Sequence, residues 1–151
     1  MNSYFLYCDG STRKNGSSGY SVIVLDPYDQ VVEHIISPRF SSGDSNEMEL
    51  RAIIEGIKWL SRHNHLNSAI YSDSKYVVDG YNNLSKRIYT SFKNQKHIEL
   101  WKELAELKMR LGDTFTLEKV KGHQNRADSW NNQADRLAKE ASSIKNKFTA
   151  K

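Results

Sequence analysis

Apolar positions in the first third of the chain alternate over short runs. Residues 4–9, Tyr-Phe-Leu-Tyr-Cys-Asp, read as a strand that stops at Asp9-Gly10, a turn dipeptide. Residues 11–19 contain Ser, Asn and two Gly and read as a turn. Residues 20–25 form a second strand broken at Asp26-Pro27, and residues 30–36 a third that ends before Pro38. Connections this short predict an antiparallel meander. The period then changes. Met48, Ala52, Ile53, Gly56, Trp59 and Leu60 recur every three or four residues, one stripe of a helix with Ser45 or Asn46 as its cap.

Residues 68–72 predict a fourth strand, ended by Asp73, and residues 74–82 a brief helix. Residues 83–97 are polar and basic without a period. Ile98, Trp101, Leu104, Ala105 and Leu111 mark another helix, stopped by Gly112. Residues 114–120 alternate as a fifth strand, and residues 121–129 read as a polar loop. Ala134, Leu137, Ala138 and Ala141 mark a last helix. The order β-β-β-α-β-α-α-β-α predicts a mixed α/β fold, a five-stranded sheet with helices on its faces. No repeat or flexible linker divides the chain, so residues 1–144 are expected to form one domain and residues 145–151 a flexible basic tail.

Composition narrows the function. With 38% hydrophobic and 26% charged residues over 151 positions, the chain suits one globular core. No run of 18 apolar residues is present, and Met1-Asn2-Ser3-Tyr4 does not begin a secretory signal, so neither a membrane partner nor export is expected. Cys8 is the only cysteine, which excludes an internal disulfide and a four-cysteine zinc site and fits a cytoplasmic location. A net charge of +4 points towards a polyanionic partner.

Four carboxylates fall at telling places. Asp9 ends the first strand, Glu49 lies in the first turn of the first helix, Asp73 ends the fourth strand and Asp135 lies early in the last helix. Taken singly, Asp9-Gly10 reads as a turn, Asp73-Ser74 as an N-cap, and Glu49 and Asp135 as acidic charges near helix N-termini. Neighbouring first and fourth strands would bring Asp9 and Asp73 together, with the helices supplying the other two. Clustered like charge is costly without a cation, and carboxylate oxygens suit Mg²⁺ or Mn²⁺. Two such ions can assist phosphodiester cleavage.

The motifs then resemble those of type 1 ribonuclease H. They are Tyr7-Cys8-Asp9-Gly10-Ser11, Asn46-Glu47-Met48-Glu49-Leu50, Tyr71-Ser72-Asp73-Ser74-Lys75-Tyr76, Val120-Lys121-Gly122-His123 and Asn131-Asn132-Gln133-Ala134-Asp135. They occur in family order. The resemblance implies a ribonuclease H-like fold and a metal-dependent endonuclease cutting the RNA strand of RNA–DNA hybrids to 5′-phosphate and 3′-hydroxyl ends. It implies that Asp9, Glu49, Asp73 and Asp135 bind two Mg²⁺ ions, with Mn²⁺ as a substitute, and that His123 assists proton transfer or product departure. It places Gly10, Asn15, Ser45, Asn46, Lys75 and Asn131 against the substrate, where 2′-hydroxyls distinguish RNA from DNA. A monomer is expected, with a polymerase or single-strand-binding protein as a conceivable neighbour.

The chain departs from the family pattern in places. Ser45 stands where many members carry a second Asn, Lys75 where Gln is common, and Asp44 where Thr often helps hold a DNA phosphate. Residues 84–97 fall where many members carry a basic handle with tryptophan. This segment lacks the tryptophan but has Lys86, Arg87, Lys93 and Lys96 with Tyr89 and Phe92, a composition suited to a nucleic-acid backbone or to a solvated loop. The rival readings are a hybrid-binding module without chemistry, a resolvase- or integrase-type nuclease of the wider superfamily, and a structural α/β domain. Filled acidic positions oppose the first, and the Lys-Gly-His and Asn-x-x-x-Asp pairing opposes the second.

Overall fold

Alternation along the strands sorts their side chains onto two faces, and both faces are covered. The computed structural model describes residues 3–64, 67–84, 96–120 and 125–150, with the backbone alone for 125–129. Its strands are β1 (Phe5–Thr12), β2 (Ser18–Leu25), β3 (Val31–Ile36), β4 (Ser68–Ser72) and β5 (Phe115–Lys119). Its helices are α1 (Ser45–Arg62), α2 (Lys75–Asn82), α3 (Ile98–Leu111) and α4 (Asn125–Ala141). The sheet order is β3-β2-β1-β4-β5, antiparallel across the first three and parallel from β1 to β4 to β5. Parallel neighbours need a crossover, and α1 supplies the one between the β1–β3 meander and β4.

On one face Leu6, Cys8, Val22 and Val24 pack with Leu50, Ile53 and Ile57 of α1 and Trp101 and Leu104 of α3. On the other, Tyr7, Ile23 and Leu25 pack with Ala134 and Leu137 of α4. No described helix is long and apolar enough to cross a membrane.

Three local expectations are corrected. First, β1 does not stop at Asp9-Gly10: Gly10 pairs with Tyr20 and Thr12 with Ser18, so the turn shrinks to residues 13–17. Gly10 serves close packing instead, since a Cβ there would lie 2.6 Å from Met48 Cβ and 2.7 Å from the Glu49 backbone nitrogen. The turn's glycine is Gly16, at φ +90°. Second, the cap of α1 is Asp44, not Ser45 or Asn46, and its Oδ1 accepts the Glu47 N–H at 2.8 Å. Glu49 therefore lies in the second turn. Third, α4 begins at Asn125, inside the expected loop, so Asp135 sits in its third turn and is no N-terminal charge. Partly buried Trp130 extends the stripe of Ala134, Leu137, Ala138 and Ala141 backwards by one turn.

After α4 the chain returns to the start of the meander's exit. Arg39 N–H donates to the Phe148 carbonyl at 2.6 Å, and Ala150 N–H to the Arg39 carbonyl at 2.7 Å.

Candidate active site

The parallel seam between β1 and β4 pairs Cys8 with Ser72, so Asp73, just past the carboxyl end of β4, follows beside Asp9 in the middle of β1. Gly10 admits the α1 backbone against β1, and that approach delivers Glu49. Ligand oxygens of Asp9, Glu49 and Asp73 all lie within 4.8 Å of one another. Asp9 and Glu49 are buried and Asp73 is exposed, so the cluster opens to solvent on one side. Ser74 caps α2 by accepting the Val77 N–H at 3.2 Å, which leaves the Asp73 carboxylate free of capping.

The Gly10 N–H is shared between Asp9 Oδ1 at 2.9 Å and Glu49 Oε1 at 3.0 Å. Ser72 Oγ donates to Glu49 Oε2 at 3.2 Å and accepts the Ser74 N–H at 3.1 Å. Asp9 Oδ2 is buried with no hydrogen-bond partner among the described residues. A buried lone pair left open amid carboxylates is what a divalent cation would complete, so these residues fit one.

The electrostatics agree. Burial raises the Asp9 pKa most, the hydrogen-bonded and charged Glu49 carboxyl adds to it, and Asp73 and Asp135 add their charge. Burial also raises Glu49, although bonds from Asp9, the Gly10 N–H and Ser72 oppose the shift. Without a cation the pair retains a proton well above the ordinary carboxylate range. The buried Cys8 thiol is pushed up by burial, then by Glu49 and Asp9; it donates to the Ala52 carbonyl and stays neutral.

These shifts set a pH dependence of stability. Below about pH 4 both folded and unfolded chains hold the protons and no penalty exists. As pH rises the unfolded carboxyls ionise first and the folded pair keeps its proton, so the folded state binds more protons and stability falls through neutral pH. The melting temperature in EDTA should therefore drop from pH 5 to pH 8, and saturating Mg²⁺ should reduce the drop. Parallel pH profiles with and without Mg²⁺ would contradict this.

Asp135 is half-exposed. Its charge acts on Asp9, but its Oδ2 lies 3.0 Å from Lys139 Nζ, and it is outside the three-residue cluster. Asn131, one turn earlier, has a buried Oδ1 without a partner among the described residues. Asn15 is exposed on the β1–β2 turn, where its Oδ1 accepts the Ser17 N–H. Ser45 and Asn46 are exposed at the start of α1. Exposed Lys75 pairs with Asp79 at 3.0 Å. Lys96 reaches Asp44 at 3.1 Å, and His97 Nε2 lies 2.9 Å from the same carboxylate. Slight burial opposes it, but the Glu47 N–H, Lys96 and His97 together hold the Asp44 carboxyl below its usual range. His123, Lys86, Arg87 and Lys93 lie outside the described residues.

Ser72 and His97 were not expected at the site from sequence. Alternation with buried Ile70 marks Ser72 as inward-facing, whereas nothing local ties His97 to a residue 53 positions earlier.

The RNase H family model matches residues 1–143. The chain belongs to the RNase H family. Ribonuclease H of Helicobacter acinonychis is 35% identical over 138 residues, spanning 89% of each chain. Ribonuclease H of Thermoanaerobacter sp. is 36% identical over 146 residues, spanning 89% of this chain and 86% of that one. In fold, the PFV RNase H domain superposes with a TM-score of 0.77 at 24% identity, over 94% of this chain and 95% of its own. LC11-RNase H1, solved in complex with an RNA/DNA hybrid, gives 0.70 at 19% identity over 91% and 95%. As a ribonuclease H, the chain is a hydrolase, and the expected fold is the one found.

Proposed function

We propose that this ribonuclease H cuts the RNA strand of RNA–DNA hybrids with divalent metal ions held by Asp9, Glu49, Asp73 and Asp135, leaving 5′-phosphate and 3′-hydroxyl ends. The observation that carries the reading is the Asp9–Glu49–Asp73 cluster, open to solvent at Asp73, with its buried Asp9 oxygen that has no partner among the described residues. Two Mg²⁺ ions, or Mn²⁺ in their place, would supply the positive charge that assists attack by water and departure of the 3′ oxygen.

The chain's own groups do the rest. Gly10 N–H and Ser72 Oγ orient the Glu49 carboxylate, so its oxygens are set before any ligand arrives. His123, with an imidazole suited to proton exchange near neutral pH, accepts or returns a proton beside the scissile phosphate. Gly10, Asn15, Ser45, Asn46, Lys75 and Asn131 contact the substrate, and 2′-hydroxyls on one strand select the RNA. Lys86, Arg87, Lys93 and Lys96 add backbone attraction. The protein acts as a cytoplasmic monomer.

The test is one gel of a labelled hybrid with Mg²⁺ and with EDTA, beside duplex DNA and duplex RNA. Cleavage should appear only on the hybrid's RNA strand and only with the metal. Equal cutting of duplex RNA, or efficient cutting of duplex DNA, would refute the substrate; full activity in EDTA would refute the metal.

A further inference from the structure

Asp135 stands outside the three-residue cluster. It is half-exposed, and Lys139 lies within ion-pair distance. Its placement depends on how α4 sits on the sheet, and one buried hydroxyl bears on that directly. Ser21 in β2 has no solvent exposure, and its Oγ donates to the Ala134 carbonyl at 2.6 Å. The Ala134 carbonyl and the Asp135 nitrogen belong to one rigid peptide plane. Holding that oxygen fixes the backbone from which the Asp135 side chain departs. Ser21 is also the cross-strand partner of Asp9, and directly opposed residues point to the same face of the sheet.

Resting on the reading of Asp135 as a metal ligand, we infer that Ser21 is a positioning residue that sets the distance between Asp9 and Asp135. The path between them is one strand pair, one side chain and one hydrogen bond. The other contacts between β2, its preceding turn and the end of α4 lie further along the helix, which leaves this bond as the deciding one. Two residues along the same face, a Cβ on Gly19 would lie 2.5 Å from Ala141 Cβ, so the far end of α4 already touches β2. Ser17 Oγ donates to the Ser142 carbonyl at 2.7 Å, and Arg13 donates to the Lys139 and Ser142 carbonyls. Those attachments hold the last turn of α4 and the residue after it. Ser21 alone among these bonds acts at the turn that carries the carboxylate. A shift of about 1 Å at a reacting group can cost about 10²-fold in rate.

A buried hydroxyl needs an acceptor in any case, so loss of stability alone does not test the assignment. Ser21→Ala removes one oxygen and adds no bulk. Its expected signature is Mn²⁺ binding weakened about tenfold by calorimetry, with kcat on the hybrid reduced by a similar factor and KM unchanged. In an Asp135→Asn background, Ser21→Ala should change Mn²⁺ affinity no further, while its small effect on melting in EDTA persists. Wild-type Mn²⁺ affinity in Ser21→Ala would overturn the inference, as would the same loss in both backgrounds. Wild-type Mn²⁺ affinity in Asp135→Asn alone would overturn it by a different route, by removing Asp135 from the ligand set. The hybrid assay tests the activity independently of all three.

Discussion

Asp9→Asn and Asp73→Asn should each reduce cleavage of a hybrid in Mg²⁺ by about 10³-fold or more while leaving the fold intact. A ligand carboxylate contributes several kcal/mol of charge stabilisation through the cation it holds, and each 1.36 kcal/mol is about tenfold in rate. The two variants separate in the metal-free state. Asp9 is buried among like charges, so its neutral amide should relieve repulsion and raise the melting temperature in EDTA at pH 8. Exposed Asp73 has less to relieve. Single-turnover cleavage with paired thermal melts measures both effects. Near-wild-type turnover by either variant would remove that residue from the metal site.

The second large effect is expected from a single methyl group. In Gly10→Ala the added Cβ would meet Met48 Cβ at 2.6 Å and the Met48 carbonyl carbon and Glu49 nitrogen at 2.7 Å. The last two are helix backbone, which cannot rotate away as a side-chain tip can. Helix α1 must retreat from β1, at about 1–3 kcal/mol of overpacking strain. The same retreat stretches the 3.0 Å bond from Gly10 N–H to Glu49 and moves that carboxylate from Asp9. Activity should fall by about 10²-fold even at temperatures where the variant stays folded. Gly43→Ala is the milder comparison: its Cβ would meet only side-chain atoms, Met48 Cε and Ser18 Oγ at 3.1 Å and Glu47 Oε1 at 3.3 Å, so a smaller loss is expected. Equal behaviour of the two variants in melts and kinetics would contradict this account.

The fold was legible because alternation and helical periodicity are local and mark opposite faces. Leu6 and Cys8 go to the α1 side and Tyr7 to the α4 side, as a period of two requires. Boundaries were less legible where a residue type serves two purposes. Asp9-Gly10 has the composition of a turn, but the glycine is there to let a helix approach. Asp44 was legible only as a departure from a common Thr, whereas in the fold it caps α1 and holds Lys96 and His97. Asn125 to Ser129 have the composition of a loop and so hide the start of a helix, whose inward stripe is marked among the described residues from Trp130 onwards.

Three of the four carboxylates were placed on the elements that bring them together. The supporting groups were hidden, since Ser72 to Glu49 and Ser21 to Ala134 are contacts between residues 23 and 113 positions apart. No local pattern encodes such a pair.

The position of the carboxylates on the parallel seam bears on when activity arises during synthesis. The β1–β3 meander closes short loops, and its strands can pair as soon as they emerge. Pairing of β1 with β4 must wait for the whole of α1, and α4 is the last helix translated. Asp9 is therefore in place early but meets Asp73 only across that late seam. The order of the strands thus delays assembly of the Asp9–Glu49–Asp73 cluster until β4 has been made.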